Sequence, residues 1–461
     1  MAFHRVFPKN SEELELKLMK NFTVKLPQKN ISKIAAVLAL AVLANIVLLA
    51  GSVAGAPGPN QLIQGAVNAA QPAIVAAPGA QTSGTITIYS SLPRTGSSKD
   101  QTITLENAMQ MALDDFTNGT GKIGNFTINY QKLDDASAAL GQWDPAVEKA
   151  NADKAVADPD AMVYLGTYNS GASKISIPIL NAANMVMISP AATYPGLTKA
   201  VAGVTEGNEP AVYYPNGPRN FFRVVVTDDL QGPADVSYAV SAANAKRFYV
   251  IDDSQSYGKG LADAFSNEVR ARGLAVLGRT SINGRESDYR ALARQIRDLN
   301  PDFIFFGGIA QQQPGKLLAD LRAVGITAPF MGGDGLNNPA FVKEAGVAGE
   351  GAFSSISGVP VDKLPAKGQD FLKRYQAKYG APSNYTIYAY EAMTVALTAI
   401  QKVNAKDRAA ILSAVAATKD FDGVTGKWSF DQNGDTTLSD FAVYQIQDGN
   451  LVYRTQTKPR S

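Results

Sequence analysis

The chain of 461 residues contains no cysteine. Disulfides, thiol nucleophiles and cysteine-held metals are thereby excluded together. Its one histidine is His4, near the start. A Ser-His-Asp triad or a histidine-ligated zinc therefore cannot be assembled in the region that carries the folding pattern. Charge is scarce too, at 18% of residues with a formal net charge of +2, which gives no global electrostatic basis for binding nucleic acid. No phosphate loop of either standard type is present, and no cofactor is implied. The 45% hydrophobic content and the length suffice for two or three structural units.

The longest uncharged stretch runs from Ile34 through Pro93. Its first part, Ile34–Ala50, is strongly apolar and follows Lys17, Lys20, Lys25, Lys29 and Lys33. Basic residues before an apolar run orient it with the N-terminus in the cytoplasm. Ser52-Val53-Ala54 and Ala54-Gly55-Ala56 are small-residue cleavage patterns, the second compromised by Pro57. Leu49-Ala50-Gly51 resembles a lipoprotein signal, but Ser52 stands where a lipid-bearing cysteine is needed. A cleaved signal and an uncleaved anchor both fit, and translation from Met19 would give a tidier signal. The expected order is a basic cytoplasmic tail over 1–33, a signal or anchor over 34–54, and an Ala/Pro/Gly-rich linker over 55–84. The rest of the chain then lies outside the cytoplasmic membrane, free in the periplasm or held at the cell surface by that segment.

From Thr85 the pattern becomes strand-helix alternation. Thr85–Tyr89 reads as a strand, followed by a helix with Leu105, Ala108, Met109, Ala112, Leu113 and Phe116 on one face. A strand over Phe126–Leu133 and a helix over Pro145–Val156 come next. A second series begins after an irregular Pro/Gly-rich stretch, Val204–Asn220. Its expected helices are Pro233–Ala245, Tyr257–Arg272, Tyr289–Leu299 and Pro314–Val324. Its expected strands are Arg247–Ile251, Ala275–Ile282, Asp302–Phe306 and Pro329–Met331. Two consecutive series of this kind imply two parallel sheets flanked by helices, hence two lobes with a crevice between strand carboxyl ends.

The richest stretch lies between Tyr164 and Thr193. Two apolar strands, Ala161–Leu165 and Met185–Ile188, each run into small hydroxyl-bearing residues. Ser170 follows the first, beside an expected helix Ser173–Ala183. Ser189, Ala191 and Thr193 follow the second. Strand ends beside a helix N-terminus, supplied with hydroxyls, make a receptor for a small carboxylate. No catalyst accompanies them.

From Gly166 to Thr193 the sequence resembles the leucine/isoleucine/valine-binding protein family, the type I periplasmic substrate-binding components of branched-chain amino acid ABC transporters. The resemblance continues through Asp252-Asp253-Ser254-Gln255-Ser256-Tyr257-Gly258-Lys259-Gly260-Leu261. It recurs in Phe305-Phe306-Gly307-Gly308 and in Phe330-Met331-Gly332-Gly333-Asp334-Gly335. It covers about Thr85 to Tyr453. It implies an α/β, two-lobed periplasmic binding protein type I clamshell with a hinge. One lobe would comprise 85–226 and 359–435, the other 227–358 and 436–456.

The resemblance also implies a site. Ser170 and Thr193 would hold a ligand α-carboxylate, with Ala192 in the same loop. The Ala191 carbonyl and Asp334 would accept from the α-ammonium, Asp334 standing where the family usually has glutamate. Tyr257 and Tyr385 would line the pocket. Gln101 stands near the place of a family tryptophan and Ile309 replaces a tyrosine, so the side-chain pocket is altered and one face is more polar. Each residue has a plainer reading beside this one. Ser170 suits a helix cap, Thr193 the turn before Pro195, Asp334 a turn between glycines. Tyr385 suits a core position and Tyr257 an aromatic anchoring a turn.

Asp431-Gln432-Asn433-Gly434-Asp435 looks like part of a calcium loop but lacks the spaced acidic positions and terminal glutamate of an EF-hand, so a turn is expected and no metal site. The function read from all this is a solute receptor, not an enzyme. It would bind a branched-chain or other neutral amino acid and deliver it to ABC permease subunits. An extracellular ligand sensor, or a receptor for a small amide or other polar solute, is the alternative.

Overall fold

The computed structural model describes residues 76–460, apart from 78. The basic tail, the apolar run at 34–54 and most of the linker lie outside the described residues. No helix among the described residues is long and apolar enough to cross a membrane. The end of the expected linker is tied down: Ala77 N donates to Asp407 Oδ2 at 2.7 Å and Lys406 N to the Gln81 carbonyl at 2.8 Å.

The first sheet is built from β1 (Gly84–Leu92), α1 (Lys99–Phe116), β2 (Lys122–Ile123) and β3 (Phe126–Asp134). The chain continues through a small hairpin, β4 (Ala136–Ser137) and β5 (Gln142–Trp143), into α2 (Pro145–Ala157). β6 (Ala161–Gly166), α3 (Ser170–Ala182), β7 (Val186–Ser189) and β8 (Phe221–Arg223) complete it. The strand order is β2-β3-β1-β6-β7-β8, parallel except for β2 against β3. Every residue of β6 is buried, which is why its sequence is a continuous apolar run and not an alternation.

The chain then enters α4 (Asp228–Ala243), β9 (Arg247–Asp252), α5 (Ser256–Ala271), β10 (Ala275–Ser281), α6 (Arg290–Leu299) and β11 (Phe303–Gly307). It goes on through α7 (Pro314–Ala323), β12 (Phe330–Gly332), α8 (Pro339–Ala345) and β13 (Phe353–Ser357). It returns to the first sheet as α9 (Ala366–Tyr379), α10 (Thr386–Val403) and α11 (Arg408–Ala416). A two-stranded ribbon follows, β14 (Phe421–Gly423) with β15 (Gly426–Trp428). The chain ends on the second sheet as β16 (Phe441–Gln447) and β17 (Asn450–Thr457). The second order is β10-β9-β11-β12-β13-β16-β17, with β16 and β17 antiparallel. The chain thus passes between sheets after β8, after β13 and before β16.

Each sheet has its own cores. Ile86, Ile88, Leu105 and Met109 pack with Ala392, Ala396 and Ile411 around the first. Phe248, Phe265 and Phe305 fill one face of the second, where Phe265 and Phe305 stack with ring centroids 3.9 Å apart. Asn244, Asn300 and Asn404 take left-handed backbone at the ends of α4, α6 and α10, the C-terminal stop that a short amide side chain tolerates.

Two helix starts differ from expectation. α3 begins at Ser170 instead of Ser173, and α4 at Asp228 instead of Pro233. Proline is favoured at the first helical position, which made Pro233 look like a start. Pro233 in fact lies one turn inside α4, and Asp228 and Asp229 occupy the first turn, where carboxylates meet unpaired N–H groups.

Behind the first sheet lies a buried acidic pair. Glu148 is fully buried and accepts from Ser91 Oγ at 2.5 Å and Tyr164 OH at 3.0 Å. Burial raises its carboxyl to about 7. Burial, then the nearby Glu148 charge, raises Asp135 well above the usual carboxylate range. A carboxyl whose folded pKa exceeds its unfolded value holds its proton longer in the native state. The stability it contributes is present below the unfolded value of 4.5 and is lost as pH rises through about 7. Glu148→Gln should therefore flatten part of the fall in stability between pH 4.5 and 8, by about 3 kcal/mol at the alkaline end. Denaturant unfolding of both proteins at pH 5 and pH 8 checks this.

Candidate functional site

The strand carboxyl ends of the two sheets face each other across a cleft, and the residues singled out from sequence converge there. Tyr168, Asn169, Ser170, Ala191, Tyr257, Ile309 and Tyr385 surround a cavity of about 20 Å³, room for a water or two. Farther along the same trough lies an open crevice of about 590 Å³, bordered by Gln142, Trp143, Asp253, Gln255, Arg285 and Gln312. Trp143 marks the boundary, since its ring lies over the start of α3 so closely that a Cβ at Gly171 would sit 2.6 Å from it.

Ser170 is the first residue of α3 and is 2% exposed. Its hydroxyl does not cap the helix. Instead it accepts from Tyr194 N at 3.3 Å and so joins the loops after β6 and β7. Within the second loop, Ser189 Oγ accepts from Ala191 N at 3.2 Å and Ala192 N at 2.8 Å while donating to the Thr167 carbonyl at 2.9 Å. The N–H groups of both alanines are thereby used inside the protein. The Thr193 hydroxyl is buried and has no hydrogen-bond partner among the described residues. The Thr193 carbonyl accepts from Asp228 N at 3.1 Å.

Arg223 holds this loop from behind. It is fully buried at the end of β8. Its Nη1 donates to the carbonyls of Ala192 at 3.1 Å and Tyr194 at 2.7 Å, its Nη2 to the Thr198 hydroxyl, and its Nε to Asp435 Oδ1 at 2.7 Å. The planar fork of five donors suits this task, whereas a lysine ammonium would satisfy fewer acceptors. Asp435 also accepts from Thr198 Oγ1 at 3.0 Å and lies 3.5 Å from Lys199 Nζ. Asp431–Asp435 is thus a turn, as expected, held by Asp431 Oδ1 accepting from Asn433 N and Asp435 N at 2.8 and 3.0 Å. Among the described residues no cluster could hold a metal.

On the opposite side Asp334 is 1% exposed. Its carboxylate accepts from Tyr257 OH at 2.6 Å and, by a short bond, from Tyr385 OH. The Gln231 amide sits 3.0 Å from both Asp334 Oδ1 and Asp334 N. Burial raises the Asp334 carboxyl, and the two hydroxyls oppose that rise. Tyr385 precedes α10 and belongs to the first sheet's core, so its bond to Asp334 crosses the cleft.

Not every expected residue lines the cavity. Ala192, Thr193 and Asp334 lie behind its lining, and Gln101, 9% exposed, is also outside it: Tyr168 OH and Asn338 Nδ2 donate to its Oε1, and its Nε2 donates to Asn384. Ile309 does line it, and its N–H donates to Asp253 Oδ2 at 3.1 Å. Two residues were missed from sequence. Tyr168 packs edge-on against Tyr385 with centroids 5.6 Å apart. Asp228 is fully buried; neither carboxylate oxygen makes a hydrogen bond of ordinary length among the described residues, but the Thr193 hydroxyl lies beside the carboxyl. Burial first, then the Asp334 charge, raises it well above the usual range. Its signal was Thr227-Asp228-Asp229 as a helix start, masked by the attraction of Pro233.

The sequence profile described as Periplasmic binding protein matches residues 85–450. The chain belongs to that family. It is 28% identical over 369 residues to the Leu/Ile/Val-binding protein BraC3 of Rhizobium johnstonii, covering 80% of this chain and 93% of the relative. It is also 28% identical over 303 residues to the leucine-, isoleucine-, valine-, threonine-, and alanine-binding protein of Pseudomonas aeruginosa, covering 66% of this chain and 76% of that one. Among solved structures it resembles the branched-chain amino acid transporter substrate binding protein LivJ from Streptococcus pneumoniae in complex with isoleucine. That likeness has a TM-score of 0.69 and 25% identity, and spans 81% of this chain and all of the other. The expected two-lobed α/β fold is the fold of this periplasmic binding protein.

In a periplasmic binding protein with its loop pinned this way, removing Arg223 strands a buried carboxylate. Arg223→Met should lower unfolding stability by about 3–5 kcal/mol, and adding Asp435→Leu should restore much of the loss. Denaturant titration of the single and double variants checks both effects.

Proposed function

We propose that the chain is an extracytoplasmic receptor that binds an α-amino acid, branched-chain or otherwise neutral, between its lobes and hands it to the permease of an ABC transporter. The observation that carries this reading is the meeting of opposite chemistries in one cleft, where Ser170 and Ala191 line a small cavity together with Tyr257 and Tyr385, the two tyrosines that donate to the buried Asp334. On one side lie Ser170 at the N-terminus of α3 and the unpartnered Thr193 hydroxyl. On the other lies the buried Asp334, held by Tyr257 and Tyr385, while Asp228 adjoins Thr193, whose carbonyl accepts from Asp228 N at 3.1 Å. A carboxylate is stabilised at a helix N-terminus by unpaired N–H groups, and an ammonium by buried carboxylates through charge-assisted bonds. Ser170 and Thr193 then hold the α-carboxylate, with Ala192 as part of the supporting loop. Asp334, Asp228 and the Ala191 carbonyl take the α-ammonium. An ammonium between Asp228 and Asp334 relieves the burial and repulsion that keep their proton affinity high. Tyr257, Tyr385 and Ile309 form the wall.

A ligand so held is gripped from two sides, so binding favours closure. The proposed lobes are 85–226 with 359–435 and 227–358 with 436–456. The names of the relatives and the isoleucine in the pneumococcal neighbour support the ligand class. The receptor has no chemistry of its own. Its proposed tether or leader is the lysine-flanked run at 34–54. A small amide or other polar solute is the second reading, favoured by the amide-bearing crevice next to the cavity.

Thr193→Ala, Asp334→Ala and Asp228→Asn should each weaken amino acid binding by roughly 2–5 kcal/mol, because each leaves a charged ligand group desolvated without its partner. Titration calorimetry over a panel of neutral amino acids measures this. Unchanged affinity in folded variants would return these residues to a structural role. Protease added to intact spheroplasts should digest the folded region, and full protection until lysis would contradict the location.

A further inference from the structure

Gln101 enters the site as a strut, and its partners say what it braces. It is the third residue of α1, on the first sheet's side. Its Oε1 accepts from Tyr168 OH at 2.6 Å and from Asn338 Nδ2 at 2.8 Å. An amide oxygen has two acceptor positions, so none is left for a ligand. Its Nε2 donates to Asn384 Oδ1 at 2.6 Å, and Asn384 Nδ2 in turn donates to the Asp334 carbonyl at 3.1 Å. Asn338 caps α8 on the second sheet's side, its Oδ1 accepting from Ala340 N at 2.8 Å. Two bonds of this hydrogen-bond network therefore cross the cleft, Asn338 to Gln101 and Asn384 to Asp334. Gln101 and Asn338 are nine-tenths buried or more, where a lost partner leaves a desolvated polar group instead of a hydrated one.

We propose that Gln101 is a positioning residue that latches the closed cleft through Asn338 and Asn384, and that it does not read the ligand side chain. The latch joins one lobe to the backbone of Asp334 and to the cap of α8, so it is complete only when the lobes are together. It acts on every ligand alike, because its energy comes from closure. A residue on the pocket wall, such as Ile309, acts on some ligands more than others. The inference rests on the amino acid reading above.

The test uses Gln101→Met, which keeps the bulk and removes the amide, and Asn338→Ser, which keeps a capping oxygen but is too short to reach Gln101. Affinities of the purified full chain are measured for a panel of amino acids. Both variants should lose at least tenfold for every amino acid bound, with the order of preference unchanged. The double variant should be no weaker than the weaker single one. A changed order of preference in Gln101→Met, unaltered affinity in Asn338→Ser, or additive losses would each overturn the latch. If Gln101→Met does not fold, Asn338→Ser alone decides between uniform loss and none. If the parent binds no amino acid, the ligand class falls but the latch is still read by solution scattering. A larger radius of gyration in Asn338→Ser than in the parent supports the latch, and an equal one overturns it.

Discussion

The buried pair between Arg223 and Asp435, closed at 2.7 Å, is the interaction on which the site's geometry depends. Asp435 lies in the turn that precedes the last passage of the chain into the second sheet, and Arg223 ends β8, just before the first passage. Between them they grip the carbonyls of Ala192 and Tyr194 and the Thr198 hydroxyl. Lys199 extends the network to Asp229 at 2.9 Å and to Thr227 Oγ1 at 3.2 Å. The loop carrying Ala191 and Thr193 is thus fixed to two of the three connections between the lobes. A buried ion pair is weak evidence for net stability. Its value here is positional, because one planar group on β8 satisfies acceptors from two other segments, the loop after β7 and the turn at Asp435.

The cleft concentrates acidic groups in a way that surface charge never would. Asp228 and Asp334 are both buried, each raised by burial, and Asp228 is raised further by its neighbour. Two such groups close together resist ionising. A cation between them removes that resistance, and tyrosine hydroxyls alone do so only in part. The arrangement is costly unless something positive enters it. In the proposed reading that positive group is the ligand's ammonium.

Much of this was legible in the sequence, for reasons that differ by element. The continuous apolar runs of β6 and β7 and the helix face of Leu105, Met109 and Ala112 identify a doubly covered parallel sheet directly. Ser170, Ala191 and Thr193 were read from the hydroxyl-bearing strand ends, Tyr257 and Asp334 were reached through resemblance, and all five come together around the cleft. Gln101 illustrates the limit. Its place near that of a family tryptophan suggested a polar wall, while its partners in the structure are Asn338 and Asn384, 237 and 283 residues away in the chain. Asp228 was hidden because proline at a helix start is a stronger local signal than paired aspartates. Arg223 was invisible for the same reason as Gln101: its partner is 212 residues distant.

The central claim is that the cleft recognises both charged ends of an α-amino acid. Titration calorimetry of the purified protein with leucine and isoleucine, beside analogues lacking either the ammonium or the carboxylate, tests it most directly. The account predicts saturable binding of an intact amino acid and at least hundredfold weaker binding of both one-ended analogues. Equal affinity for the analogue without the ammonium would contradict it, because Asp228 and Asp334 would then contribute nothing to recognition.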